Sequence, residues 1–117
     1  MIDNTEVVLT GVIEKVFQGG TLSFPLCSVL LRMTYEQRTA TGTVERNTYF
    51  MCECGTNIEE QKKQLGKMVE SRVEFVGDLR GNKYTQRNSG DPGVFASMRF
   101  KEYKLAQTPT TEVDIPF

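Results

Sequence analysis

Residues 44–79 read VERNTYFMCECGTNIEEQKKQLGKMVESRVEFVGDL, and two changes of period within that stretch decide the fold. Val44–Cys54 alternates as a strand, with Phe50, Cys52 and Cys54 on one face and Tyr49, Met51 and Glu53 on the other. An inward Glu53 would place an unpaired charge in the core, so the Phe50 face is predicted inward and the Tyr49 face outward. At 57–68 the period becomes helical: Ile58, Gln61, Leu65 and Met68 lie near one face, and Asn57 with Glu60 three residues on fits a capping box. Arg72–Leu79 returns to strict alternation, with Val73, Phe75, Gly77 and Leu79 predicted inward. One short helix is thus inserted between two strands.

Working outward, Glu6–Phe17 (EVVLTGVIEKVF) reads as a first strand with Val7, Leu9, Gly11 and Ile13 on one face. Gly11 predicts a bulge or sharp coil there, and Gln18-Gly19-Gly20 a turn. Pro25–Tyr35 is a second strand whose uniformly apolar set, Cys27, Val29, Leu31 and Met33, faces the core and leaves Arg32 and Thr34 outside. Residues 36–43, EQRTATGT, read as a polar connection, and 80–93, RGNKYTQRNSGDPG, as a long mobile hairpin loop. In Val94–Leu105 the set Val94, Ala96, Met98 and Phe100 shares one face; the parity flips at Tyr103 and Leu105, which predicts a bulge near Lys101-Glu102. Residues 107–117 have no periodicity and read as a flexible acidic tail. An all-β chain of five strands with one short helix between the third and fourth has the element order of the oligonucleotide/oligosaccharide-binding (OB) barrel, here expected over residues 1–106.

Length and composition agree with one ordinary domain: 117 residues, 38% hydrophobic and 25% charged. No apolar run approaches the roughly 20 residues of a membrane span. The opening MIDNTEVVLTG lacks a basic segment followed by an apolar stretch, so a cytoplasmic protein with no membrane role is expected. The chain has no histidine, which removes imidazole-based acid/base catalysis, the Ser-His and Cys-His nucleophile pairs and imidazole metal sites. Cys52 and Cys54 stand in C-x-C spacing without a second pair, and Cys27 makes an odd count, so free structural thiols are expected. We therefore expect no metal, no cofactor and no enzymatic activity.

The net charge of -1 hides an asymmetry. Residues 61–104 hold ten basic against five acidic side chains, whereas 1–60 hold four against eight. A basic second half in a chain that is not basic overall suits local binding of a polyanion.

On these residues the chain resembles the bacterial and phage single-stranded-DNA-binding protein family, from about Val7 to Leu105 and again at the last four residues. VVLTG resembles the family's opening strand, SVLLRMT its second strand, and SRVEFVGDLRGNKY its fourth, which ends in Lys plus an aromatic. Asp114-Ile115-Pro116-Phe117 is similar to the family's acidic ending followed by Ile-Pro-Phe. The chain departs in its brief 107–113 linker, its single Asp beside Ile115 and its lack of Trp. Those departures resemble a phage-encoded or divergent member, acting in that case in the bacterial host cytoplasm.

The resemblance implies sequence-nonspecific binding of single-stranded DNA in replication, recombination and repair. It also implies recruitment of replication or recombination proteins through Asp114, Ile115, Pro116 and Phe117. A homo-oligomer, dimer or tetramer, is expected. The alternative is an OB barrel used as a protein-interaction module with weak nucleic-acid contact. Tyr84 sits just past Arg80 and Lys83, where the family places a stacking aromatic. Tyr49 is the second candidate ring from its outward parity; alignment on the following glycine favours Phe50 instead. Tyr35 is a further candidate, although its parity matches the core set. Phosphate contacts are expected from Arg32, Arg72, Arg80, Lys83, Arg87 and Arg99, while Lys62, Lys63 and Lys67 on the helix read as solvated charges.

Overall fold

The computed structural model describes residues 1–106. Its elements are β1 (Glu6–Gly20), β2 (Pro25–Thr39), β3 (Gly42–Cys54), α1 (Ile58–Gly66), β4 (Arg72–Thr85) and β5 (Pro92–Leu105). The strands close a barrel in the order β1-β2-β3-β5-β4. This is the expected OB barrel, with its helix between the third and fourth strands.

The alternation read from the sequence sets the core. Ile13, Cys27, Val29, Leu31, Cys52, Val73, Phe75 and Met98 are fully buried, and Phe50 packs against them half-buried. Phe75 is the largest of these, and its ring meets Phe100 at 5.2 Å and Tyr103 at 5.9 Å between centroids. Leu65 of α1 is fully buried against the barrel, with Ile58 and Met68 beside it. Gln61, on the same helix face, accepts a 2.8 Å hydrogen bond from the Tyr103 hydroxyl.

Several local expectations are corrected. Asn57 makes no side-chain cap to α1: its backbone is left-handed (φ 47, ψ 47), not the extended geometry from which a cap side chain reaches the first free N–H groups. The bulge in β1 falls at Glu14, between the Ile13 and Lys15 registers, and not at Gly11. Gly11 instead permits close approach, because a Cβ there would lie 2.5 Å from the Arg32 carbonyl oxygen. Residues 18–20 are strand, and the turn comes later: Thr21 N–H donates to the Phe24 carbonyl and Phe24 N–H to Thr21 Oγ1. The bulge near Lys101 is present, since Val76 pairs with Glu102 and Gly77 with Phe100.

The largest correction concerns the two polar segments. Residues 36–43 are mostly paired strand, with β2 and β3 in register out to Thr39 opposite Gly42. Residues 80–85 and 92–93 are likewise paired, leaving a loop only at 86–91. Polar alternation on a ribbon exposed on both faces has no apolar period to reveal it, so the sequence reads as loop. Leu79, expected inward, is about half-exposed because it stands where β4 leaves the barrel.

Candidate nucleic-acid interface

The two ribbons position the site. β3 and β5 touch only as a short parallel seam, Cys52 opposite Met98 and Glu53 opposite Arg99. Above that seam each strand continues with its own hairpin partner, β3 with β2 and β5 with β4. Because the seam is parallel, residues equally far before Glu53 and Arg99 stand at matched height on the two arms. Tyr49 and Phe95 are each four residues before it, roughly 13 Å up at the rise of a strand.

Both rings lie on the outer face. On the β2–β3 arm, Tyr49 is opposite Arg32, and its ring is half-exposed (50%). Arg32 in turn holds Glu14 at 2.9 Å, using the carboxylate that the bulge frees. On the β4–β5 arm, alternation puts Arg80, Asn82 and Tyr84 with Gly93, Phe95, Ser97 and Arg99. Tyr84 stacks on Phe95 with centroids 4.4 Å apart and planes 24° from parallel. It also lies flat over its cross-strand partner Gly93, where a Cβ would come within 2.5 Å of the ring. Glycine at 93 is what lets the ring lie down. Tyr84 is therefore the inner ring, 39% exposed, and Phe95 the outer one, 66% exposed.

The floor between the arms is the Glu53–Arg99 pair at 3.8 Å, too long for a hydrogen bond. Arg99 Nε is buried with no hydrogen-bond partner among the described residues. Among the described residues no carboxylate lies within salt-bridge distance of Arg72, Arg80, Lys83 or Arg87.

The other expected residues divide as follows. Phe50 faces the core side, opposite Leu31, and not the groove. Tyr35 follows the inward parity but lies beyond the barrel, half-exposed opposite Arg46, on the face away from Tyr49. Lys83 is opposite Val94, on the reverse face of the ribbon from Tyr84. Arg87 stands in the 86–91 loop, exposed. Arg72 is far from Tyr84 along β4, yet Val12 pairs with both Arg72 and Arg32, so these two cations flank one valine. Asp114, Ile115, Pro116 and Phe117 lie outside the described residues, as does the whole 107–117 segment.

Phe95 was missed by the sequence reading. The signal was available: once Val94, Ala96, Met98 and Phe100 are set inward, Phe95 and Arg99 must share the outer face. Reading 80–93 as loop removed the partner strand that gives the ring its meaning.

The thiols are free and buried. Burial pushes the Cys27 thiol up to about 11 and the Cys52 thiol to about 12, so both stay protonated at neutral pH. No group of three or more potential metal ligands is found among the described residues. No described helix is long and apolar enough to cross a membrane.

No protein-family model matches the sequence, and no curated protein matches it. Solved structures do match. A Plasmodium falciparum single-stranded-DNA-binding protein in complex with single-stranded DNA superposes with a TM-score of 0.68 at 11% identity, covering 92% of this chain and 98% of that one. A small single-stranded DNA-binding protein from Streptomyces coelicolor gives 0.63 at 11% identity, over 90% and 96%. A mitochondrial single-stranded DNA binding protein from S. cerevisiae gives 0.63 at 12% identity, over 89% and 96%. Likeness over nearly whole chains at such low identity speaks to the fold.

Proposed function

We propose that this chain binds single-stranded DNA without sequence preference, bases on the rings of the two arms and phosphates on the surrounding arginines and lysines. The observation that carries this reading is the matched placement of Tyr49 and the Tyr84–Phe95 stack on one outer face, together with Arg80, which pairs with no carboxylate among the described residues. Flat rings accept any base, and a backbone-tracking cation set ignores sequence, so the arrangement suits nonspecific binding. The solved complex with single-stranded DNA, on the same fold, supports it. The groove offers a binding surface, with no catalytic step assigned to it and no cofactor needed.

The finer role we propose is in replication, recombination and repair, as a homo-oligomer. Residues 1–106 form the binding unit, and Asp114–Phe117 recruit partner proteins. A phage-encoded or divergent origin, and hence a host cytoplasm, fits the departures noted in the sequence. The test is titration of a dye-labelled oligo-dT at several salt concentrations. Affinity should fall with salt at about 0.7 log units per log unit of salt for each phosphate contact. No binding at low salt would refute the reading. Deleting Val113–Phe117 should abolish partner pull-down and leave DNA affinity equal or slightly higher; lost DNA binding would show that the segment belongs to the binding unit.

A further inference from the structure

Phe24 has no structural reason to be where it is. It is 77% exposed, yet two hydrogen bonds fix its turn: Thr21 N–H to the Phe24 carbonyl at 3.1 Å and Phe24 N–H to Thr21 Oγ1 at 3.0 Å. A large ring presented to water on a fastened turn buries little and stabilises little, so its placement points to something that covers it.

Beside it opens a pocket of about 410 Å³, walled by Phe24, Pro25, Leu26, Gly55 and Ile58 and closed on one side by Arg99. That volume lies at the small end of the roughly 300–1,000 Å³ typical of small-ligand sites, and the apolar walls are joined by two polar residues, Ser23 and Arg99. Arg99 is shared: it is the floor of the groove between the two arms and also a wall of this pocket. The Arg99 side chain is 39% exposed although its Nε is buried, so the donor it offers a ligand here is the outer end of the guanidinium.

We propose that this pocket receives one unstacked base of the strand lying in the groove. The base stacks on Phe24, and the Arg99 guanidinium donates to a base carbonyl oxygen. Thymine, guanine and cytosine each carry a carbonyl oxygen, whereas adenine has none. The pocket therefore adds a modest preference against adenine to an otherwise indifferent surface. The inference rests on the single-strand-binding reading above.

The test compares the full chain with Phe24→Ala, Gly55→Leu and Arg99→Met, titrating oligo-dT and oligo-dA at one salt concentration. Gly55→Leu fills the pocket at a position where an added Cβ meets only Leu26 Cδ2, at 3.5 Å. Phe24→Ala and Gly55→Leu should each weaken oligo-dT binding about tenfold, within the roughly 5–150-fold spanned by one base–ring contact. Arg99→Met should lower the ratio of dT to dA affinity, because it removes the carbonyl donor. In parallel, wild-type chain is photocrosslinked to oligo-dT carrying 5-iododeoxyuridine and the adduct is mapped by peptide mass. An adduct at Phe24 supports the pocket. Adducts confined to Tyr49, Tyr84 or Phe95, or wild-type oligo-dT affinity in both Phe24→Ala and Gly55→Leu, overturn it while leaving the binding reading intact. A wild-type chain that binds neither oligonucleotide overturns both.

Discussion

Replacing Phe95 with alanine separates a ring that holds the fold from one that waits for a ligand. A phenylalanine carries about 200 Å² of surface. At 66% exposure only about a third of it, roughly 70 Å², is covered, chiefly by Tyr84. At about 25 cal/mol per Å² that burial stabilises the chain by at most ~1.7 kcal/mol. Phe95→Ala should therefore lower Tm by no more than roughly 10 °C. The free ring face is where the larger effect lies, since losing one base–ring contact costs about 1–3 kcal/mol, the range known for single-strand-binding barrels. In fluorescence anisotropy with labelled oligo-dT, well below the variant's Tm, Kd should rise by roughly 5- to 150-fold. Tyr84→Ala should do at least as much, because it also removes the surface that seats Phe95 over Gly93. A Phe95→Ala chain with wild-type affinity at moderate salt would refute the stacking argument for this arm.

On the other arm, Tyr49→Ala should weaken oligo-dT binding with little change in Tm. Phe50→Ala should do the reverse, losing somewhat less than the ~3–5 kcal/mol of a fully buried ring because it is only half-buried; the opposite pattern in the two variants would reverse the assigned faces. Arg80→Gln should reduce the slope of log affinity against log salt by about 0.7, equally for oligo-dT and oligo-dC, while Lys62→Gln, paired with Glu59 on the helix, should leave it unchanged. The thiols predict an alkaline limit. Cys27 and Cys52 ionise near 9.0 when unfolded but only at about 11 and 12 when folded, so above pH 9 the unfolded chain holds fewer protons and stability falls as pH rises. Thermal melts from pH 8 to 10.5 should show a shallower decline in Cys52→Ala than in the wild-type chain, and an equal decline would show that other groups set the limit.

What the sequence disclosed and what it hid follow from burial. Where one strand face meets the core, as at Val29–Leu31 or Val73–Phe75, the period-two pattern is imposed by desolvation and can be read directly. The decision that Glu53 faces out, and Tyr49 with it, came from the cost of burying a charge, and the structure agrees. Above the barrel the ribbons meet water on both faces, nothing imposes a pattern, and Glu36–Thr39 or Arg80–Thr85 look like loop. The candidate site stands largely on those ribbons, which is why its rings were legible one at a time but their pairing was not. Tyr84 was found and its neighbour Phe95 was not, because only the cross-strand register joins them. Phe24 had no signal at all: one ring in a Gly- and Ser-containing turn says nothing about a pocket assembled with Gly55, Ile58 and Arg99.

The way β1 divides its pairing has a consequence during synthesis. Its second half pairs with β2, close by in sequence, but its first half pairs with β4, Glu6 opposite Asp78. At roughly 5–20 residues per second, several seconds separate the appearance of those two partners on the ribosome. Throughout that interval β2 and β3 can already zip from their tight turn, while Val7 and Leu9 have no strand partner to cover them. The nascent chain therefore carries an open, apolar strand edge near its beginning until residue 78 emerges, and any factor that shields this chain during translation has those first few residues to protect.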